Sequence, residues 1–219
     1  MDIQLQIELT ILVIVVVIAR VLYLIHKITT GYSKYAPKRS KPCKTIICIG
    51  SGGHTTEMLQ LLKNINFNNY SPRHYVIAKT DTTSLNKVQT FEASRNSKEN
   101  RDYFINKIPR SRSVGQSYIT SIFTTIISIL YSVPIVLRLR PDIVLCNGPG
   151  TCIPICVLSF LLKCVFVCES KIIFVESFCR TQTFSLSGKI LVYIADNFIV
   201  QWPSLRSKLK RAEYIGQLM

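Results

Sequence analysis

The 219-residue sequence predicts an α/β domain built on a parallel sheet, carried behind one N-terminal transmembrane helix. Three observations lead there. Ile46-Ile47-Cys48-Ile49-Gly50-Ser51-Gly52-Gly53-His54-Thr55-Thr56-Glu57-Met58-Leu59 reads as a buried strand, a glycine turn and the start of a helix. The same geometry recurs at Ile143-Val144-Leu145-Cys146-Asn147-Gly148-Pro149-Gly150-Thr151, before an apolar helix from Cys152 to about Leu162. Residues 9–19 are almost continuously apolar and offer no polar face.

Taken in order, residues 7–28 are long enough, as a helix, to cross about 30 Å of hydrocarbon. Asp2 and Glu8 stand at its start, so it lacks the basic head of a secretory signal. Lys27, Lys34, Lys38, Arg39, Lys41 and Lys44 follow with no acidic residue among them. The positive-inside bias therefore places the bulk of the chain in the cytosol. Arg20 is expected to snorkel toward that interface. The division is an anchor at 1–28, a basic linker at 29–44 lying against anionic lipid, and one domain at 45–219.

Three glycines within four positions let the first turn close tightly and admit another group. Met58, Leu59, Leu61, Leu62 and Ile65 then recur at helical spacing. The first N–H groups of that helix face whatever lies above the strand end, which makes an anion site. The spacing matches neither the dinucleotide fingerprint nor a Gly-Lys-Ser/Thr loop, so a ligand-free turn stays open. A second strand over 74–78 brings Asp81 to the rim where ligands collect, or makes it the N-cap of a segment from Thr83. Residues 91–107 read as a polar surface loop with a short strand at 103–105.

Arg110 and Arg112, beside Gly115, suit a phosphate or a lipid headgroup, and equally a solvated surface. Residues 118–137 are apolar, but their hydroxyls and Pro134 favour a helix packed on the sheet, one face at the membrane, over a second span. A strand at 171–175 ends in Glu176, placed for chemistry or for a structural hydrogen bond. A helix over 189–195, a last well-formed strand at 197–200 and a basic helix over 205–211 complete the domain. The apolar end from Tyr214 tucks into the core or meets a partner.

The formal charge is +15, from 27 Lys plus Arg against 12 Asp plus Glu, which favours anionic partners. Much of the clustered charge follows the membrane segment, so lipid rather than nucleic acid is its counterpart. The eight cysteines form no Cys-x-x-Cys pair and read as small buried hydrophobes in a reducing compartment, with no metal site expected.

Five motifs now stand in sequence: Gly50 to Met58, Arg110 to Ser117, Cys146 to Cys152, Val175 to Arg180, and Ala195 to Pro203. In their content and order the chain resembles, over nearly its whole length, the membrane-anchoring subunit of the UDP-N-acetylglucosamine transferase that adds the second sugar to dolichol-linked oligosaccharide. The resemblance implies a Rossmann-like sheet similar to the N-terminal, acceptor-side half of a GT-B glycosyltransferase. It implies a soluble partner subunit that holds most of the donor, UDP-N-acetylglucosamine. The active cleft then lies between the two chains on the cytosolic face of the endoplasmic reticulum membrane, with the nuclear envelope a further location. Dolichyl diphosphate N-acetylglucosamine is the implied acceptor, the preceding phosphotransferase of the pathway a further partner, and no bound cofactor or metal is expected.

For such a reaction the catalytic candidates are His54, as base or as acceptor-orienting donor, and Glu57, which orients His54 or bonds the acceptor sugar, with Glu176 and Asp81 as rival bases. A helix N-terminus beside His54 is expected to favour the neutral imidazole. Gly50, Ser51, Gly52, Gly53, Thr55, Asp81, Arg110, Arg112, Asn147, Gly148, Gly150 and Thr151 would bind the acceptor diphosphate or line the cleft. Tyr214, Ile215, Gly216, Gln217, Leu218 and Met219 would bind the partner. Alone, the subunit is expected to be inactive. Two other classes compete: a recruiter without catalytic residues, and a free-standing membrane-bound glycosyltransferase, for which a second nucleotide domain is wanting.

Overall fold

The computed structural model describes residues 3–34, 39–95, 102–113, 115–148 and 150–217. Their strands are β1 (Thr45–Cys48), β2 (Arg73–Ala78), β3 (Tyr103–Ile108), β4 (Ile143–Asn147), β5 (Lys171–Val175), β6 (Asn197–Val200) and β7 (Glu213–Tyr214). All pair in parallel, in the order β3-β2-β1-β4-β5-β6-β7. The helices are α1 (Ile3–Thr29), α2 (Gly53–Leu62), α3 (Thr82–Arg95), α4 (Tyr118–Leu139), α5 (Cys152–Cys164), α6 (Leu186–Leu191) and α7 (Pro203–Lys208).

Both faces of the sheet are covered at its centre, which is why β1 and its neighbours are mostly apolar runs rather than alternating. Ile46 and Cys48 share a core with Leu24 and Ile28 of α1, Val136 of α4, Ile155 and Cys156 of α5, Leu191 of α6 and Leu205 of α7. Ile47 and Ile49 point the other way, into a second core with Met58 and Leu62 of α2 and Val88 of α3. The chain winds outward from β1 to β3 and then returns to β4 on the other side of β1. The crevice above the C-terminal ends of β1 and β4 is therefore the switch point at which such sheets bind ligands.

Four local expectations are corrected. Residues 91–95 are helix, the last turn of α3, because Glu92 anchors it. Its carboxylate accepts from Arg73 Nε at 2.9 Å, Arg73 Nη2 at 3.0 Å and the Tyr75 hydroxyl at 2.5 Å, all buried. This inward charge sits at the end of the short apolar stripe Leu85, Val88 and Phe91. The sheet also continues past β6, with Ile199 and Val200 in register with Glu213 and Tyr214 of β7. The penultimate helix starts at Leu186, where the Ser185 hydroxyl caps Gly188 N at 2.9 Å, and ends at Leu191. Pro203 opens the last one earlier than expected, and it stops at Lys208.

The helix α4 is turned inside out. Its buried side carries Ser121, Ser128, Ser132 and Val136, whereas Ile119, Ile122, Phe123, Ile126, Ile127 and Leu130 are exposed. The inward hydroxyls are bonded: Ser128 Oγ donates to Pro109 O at 2.9 Å, Thr124 Oγ1 to Ser111 O at 2.5 Å and Ser132 Oγ to Ser128 O at 2.7 Å.

Both α1 and α4 are long and apolar enough to cross a membrane, but the last turns of α1 belong to the domain. Leu24 and Ile28 are buried in the core, and Ser33 donates to Asp196. Arg20 Nη2 meets Glu169 Oε1 at 2.5 Å and its guanidinium lies 4.6 Å from the centre of the Phe166 ring. It is thus neutralised by a partner on the domain rather than reaching outward alone. The exposed stretch before it, residues 3–19, spans about 25 Å at 1.5 Å per residue. The linker is strapped down as well: Arg39 Nη2 reaches Asp142 Oδ1 at 2.9 Å, and Lys171 Nζ donates to Ser33 O at 2.6 Å. Pro37 and Lys38 lie outside the described residues.

Candidate active site

A cleft of about 780 Å³ opens above the switch point. Gly53, His54 and Glu57 line it from α2, and Gly148 and Gly150 from the turn after β4. Arg112, Ser113 and Gly115 form another wall. Ser177, Cys179, Arg180, Ser185, Leu186 and Ser187 close the side beyond β5.

The helices α2 and α5 start at the ends of the adjacent strands β1 and β4. Their N-caps, Gly52 and Thr151, provide no side-chain hydrogen bond. In three other helices a side chain does this work: Ser117 caps α4, Ser185 caps α6, and Asp81 Oδ1 accepts from Ser84 N at 3.0 Å in α3, whereas α7 starts on Pro203 without a side-chain cap. The two helices at the switch thus keep first-turn N–H groups for an anion. Gly52 has φ +64, in the left-handed region that suits glycine.

The four side chains at the centre come from three parts of the chain: His54 and Glu57 from α2, Asn147 from β4 and Ser177 from the loop after β5. Asn147 is buried and donates from Nδ2 to Glu57 Oε2 at 2.7 Å. Ser177 Oγ donates to the other carboxylate oxygen, Glu57 Oε1, at 2.9 Å. With Nδ2 committed to a carboxylate, Asn147 presents Oδ1 to His54, whose Nδ1 lies 2.9 Å away. That oxygen can only accept, so the neutral imidazole carries its proton on Nδ1 and keeps Nε2 free to take another. Gly148 makes the arrangement possible. Its φ is +57, and a Cβ there would stand 2.9 Å from His54 Cε1.

The electrostatics differ from the expected neutral bias. The Glu57 carboxylate, its Oε2 3.7 Å from His54 Nδ1, raises the His54 pKa above its ordinary value, and the Asn147 hydrogen bond adds to it, against the opposing effect of burial. Burial alone would raise the Glu57 carboxyl, but the neighbouring imidazole of His54 and donation from Asn147 and Ser177 bring it below the usual carboxylate range. Within this pair the nearby carboxylate outweighs the helix N-terminus.

Other sequence candidates are placed differently. Glu176 is fully buried, accepts from Ser177 N at 3.1 Å and Ser185 N at 3.0 Å, and does not line the cleft. Burial pushes its pKa up, and its carboxylate fixes the loop that carries Ser185 to the cleft wall. Thr55 is buried, donates to Gly50 O and meets Ser84 Oγ at 2.7 Å. Asp81 caps α3, accepting from Ser84 Oγ at 2.7 Å as well as from its amide. Gly50, Ser51, Gly52, Asn147, Thr151 and Arg110 do not line the cleft, whereas Arg112 lines it. Arg180 and Ser177 also reach the cleft. Their signal was their position directly after a parallel strand, the same rim rule that singled out Asp81.

The thiols of Cys146, Cys152 and Cys156 lie within 4.8 Å of one another, all buried beneath the β4 turn. They are the grouping among the described residues that offers metal-ligand atoms, of a type that suits soft ions. Of the tail, Tyr214 and Ile215 are exposed at the sheet edge, Gly216 has φ +88, and Gln217 is exposed. Leu218 and Met219 lie outside the described residues.

Residues 45–218 match the family model described as oligosaccharide biosynthesis protein Alg14 like. The UDP-N-acetylglucosamine transferase subunit ALG14 of Homo sapiens is 49% identical over 178 residues, covering 80% of this chain and 82% of that protein. The subunit of the same name from Mus musculus is 45% identical over 204 residues, covering 91% and 94%. Among solved structures, LpCGTa in complex with UDP superposes with a TM-score of 0.50 at 10% identity, over 80% of this chain and 51% of that one. That likeness is one of fold: a GT-B-like parallel α/β arrangement, of which this chain spans about half.

Proposed function

From the premise that this chain belongs to the Alg14-like family, we propose that it is the membrane-bound, acceptor-side subunit of a UDP-N-acetylglucosamine transferase. Its soluble partner brings the donor, and together they extend dolichyl diphosphate N-acetylglucosamine at the 4-hydroxyl, with inversion. The relatives' names supply the donor and the word subunit. The apolar exposed part of α1 and the basic residues behind it support a single span with the domain on the cytosolic side of the endoplasmic reticulum membrane.

The observation that carries a chemical role for this chain is the relay His54–Asn147–Glu57. It holds the imidazole in the tautomer that leaves Nε2 free and raises its basicity. In this reading His54 takes the proton of the acceptor hydroxyl as the bond to the donor sugar forms, and Glu57 stabilises the imidazolium through Asn147. The uncapped starts of α2 and α5, with Arg112 and Arg180, hold diphosphate charge. Glu176 acts by positioning the wall that carries Ser185 and Ser187. The tail from Tyr214, beside the edge strand β7, receives the partner.

The test is transfer from UDP-N-acetylglucosamine to a short-prenyl acceptor diphosphate by this chain with and without its partner. Activity is expected only from the pair. His54→Gln should retain the complex and lose about 10²–10⁴ in kcat. Turnover by this chain alone would refute the shared cleft, and an unaffected H54Q complex would make the chain a recruiter only.

A further inference from the structure

Beside the cleft lies a second cavity of about 380 Å³, bounded by α4, the start of α5 and α6. Its walls are the side chains of Ile122, Ile126, Ile153, Leu186 and Ile190 with the ring of Tyr118. It is continuous with the cleft, because Arg112, Gly150, Leu186 and Ser187 line both. We propose that this groove receives the first isoprene units of the acceptor's polyprenyl chain, with Arg112 at the junction meeting the diphosphate. The inference rests on the acceptor-side reading above and adds where its lipid goes.

Three features favour a lipid tail over another protein. The groove runs directly out of a cleft whose two helix starts and Arg112 suit a diphosphate, so an apolar chain attached to that diphosphate has one covered route away from it. Arg112 is built as a joint: its guanidinium lies 4.4 Å from the centre of the Tyr118 ring, which is a groove wall, and its Nη2 donates to Gln116 O at 3.2 Å. Its buried Nε has no hydrogen-bond partner among the described residues. Neither has the hydroxyl of Ser111, a groove residue only 1% exposed.

The third feature is direction. Ile122 and Ile126 belong both to the groove and to the exposed apolar side of α4. The helix shares its core with α5 and α1, so groove and anchor lie on the same face of the sheet. A tail leaving the groove along α4 therefore passes onto an apolar surface on the anchor's side of the domain.

The experiment uses the full chain in complex with its donor-binding partner, in detergent. N-acetylglucosamine diphosphate acceptors carry one to four isoprene units, or an unbranched alkyl chain of matched carbon number. Wild type is expected to show KM falling at least tenfold along the prenyl series and to prefer prenyl over alkyl. Ile122→Ser with Ile126→Ser, both at exposed positions that the core does not need, should flatten that dependence by raising KM for the longer prenyl acceptors. Phe123→Ser, on the same helix but outside the groove, should leave the dependence intact. Chain-length independence in wild type, equal use of the alkyl chain (a general lipid cleft), or an equal effect of F123S would overturn the groove assignment. Absence of transfer with every acceptor would instead overturn the acceptor-side function itself.

Discussion

His54 depends on groups that are distant in sequence, and its titration should report them. The proposed base must be unprotonated, so kcat/KM should rise with pH as His54 loses its proton. Because Glu57 raises its pKa, that limb should lie above the ordinary imidazole value. Glu57→Gln keeps a hydrogen-bonding shape but removes the charge, so the limb should move to lower pH; a limb that stays in place would separate Glu57 from the base. Stability follows both groups. The His54 contribution is full below its unfolded pKa and fades as pH rises through the higher folded one. The Glu57 contribution is present above its unfolded value and is lost as pH falls through the lower folded one. Gly148→Ala should cost about 1–2 kcal/mol for a side chain at positive φ. It should also displace His54 and lower kcat, a change that activity and thermal unfolding of the same variant would read together.

At the scale of the element, the least conventional parts are α3 and α4, each fastened inward by polar groups. For α3 the buried Arg73–Glu92 pair is the fastening. Glu92→Ala leaves a buried guanidinium without its carboxylate and should destabilise the domain by about 3–5 kcal/mol. Replacing both partners by apolar residues, Arg73→Met with Glu92→Leu, should recover much of that loss. Thermal unfolding of the detergent-solubilised chain measures both, and a double variant as unstable as the single would contradict the account. In α4 the hydroxyls of Ser128 and Ser132 find backbone carbonyls, so the aliphatic residues are free to face outward. Composition alone does not say which side of that helix meets the domain; the bonds to Pro109 and Ser111 do.

For the whole molecule, the anchor and the domain share packing. The buried Lys163–Asp196 pair, with Nζ 2.9 Å from Oδ1, receives Ser33 from the turn after α1, while Leu24 and Ile28 fill the core. The membrane end of the chain is thus held against the sheet, and the edge strand β7 with the tail is left for the proposed partner. Deleting residues 215–219 should abolish co-purification of the soluble subunit while the chain stays folded and membrane-bound. Retention of the complex in the truncated chain would move the pairing surface elsewhere.

What the sequence determined by itself was everything that short-range rules encode. Apolar runs gave the anchor and the parallel strands, and glycines after strands marked the two turns over which a ligand would lie. The order of five motifs pointed to the family. Only the tertiary structure decided which polar residues face the cleft and which are consumed by the fold. Asp81, Thr55 and Glu176 occupy the same kind of rim position as His54, yet their hydrogen bonds go to helix caps and loop amides. Glu57, Asn147 and Ser177 are separated by 90 and 120 residues across their bonds, and no local pattern records a contact of that span. The physical reason is the same in each case: burial demands a partner for every polar group, and the fold alone determines which partner is within reach.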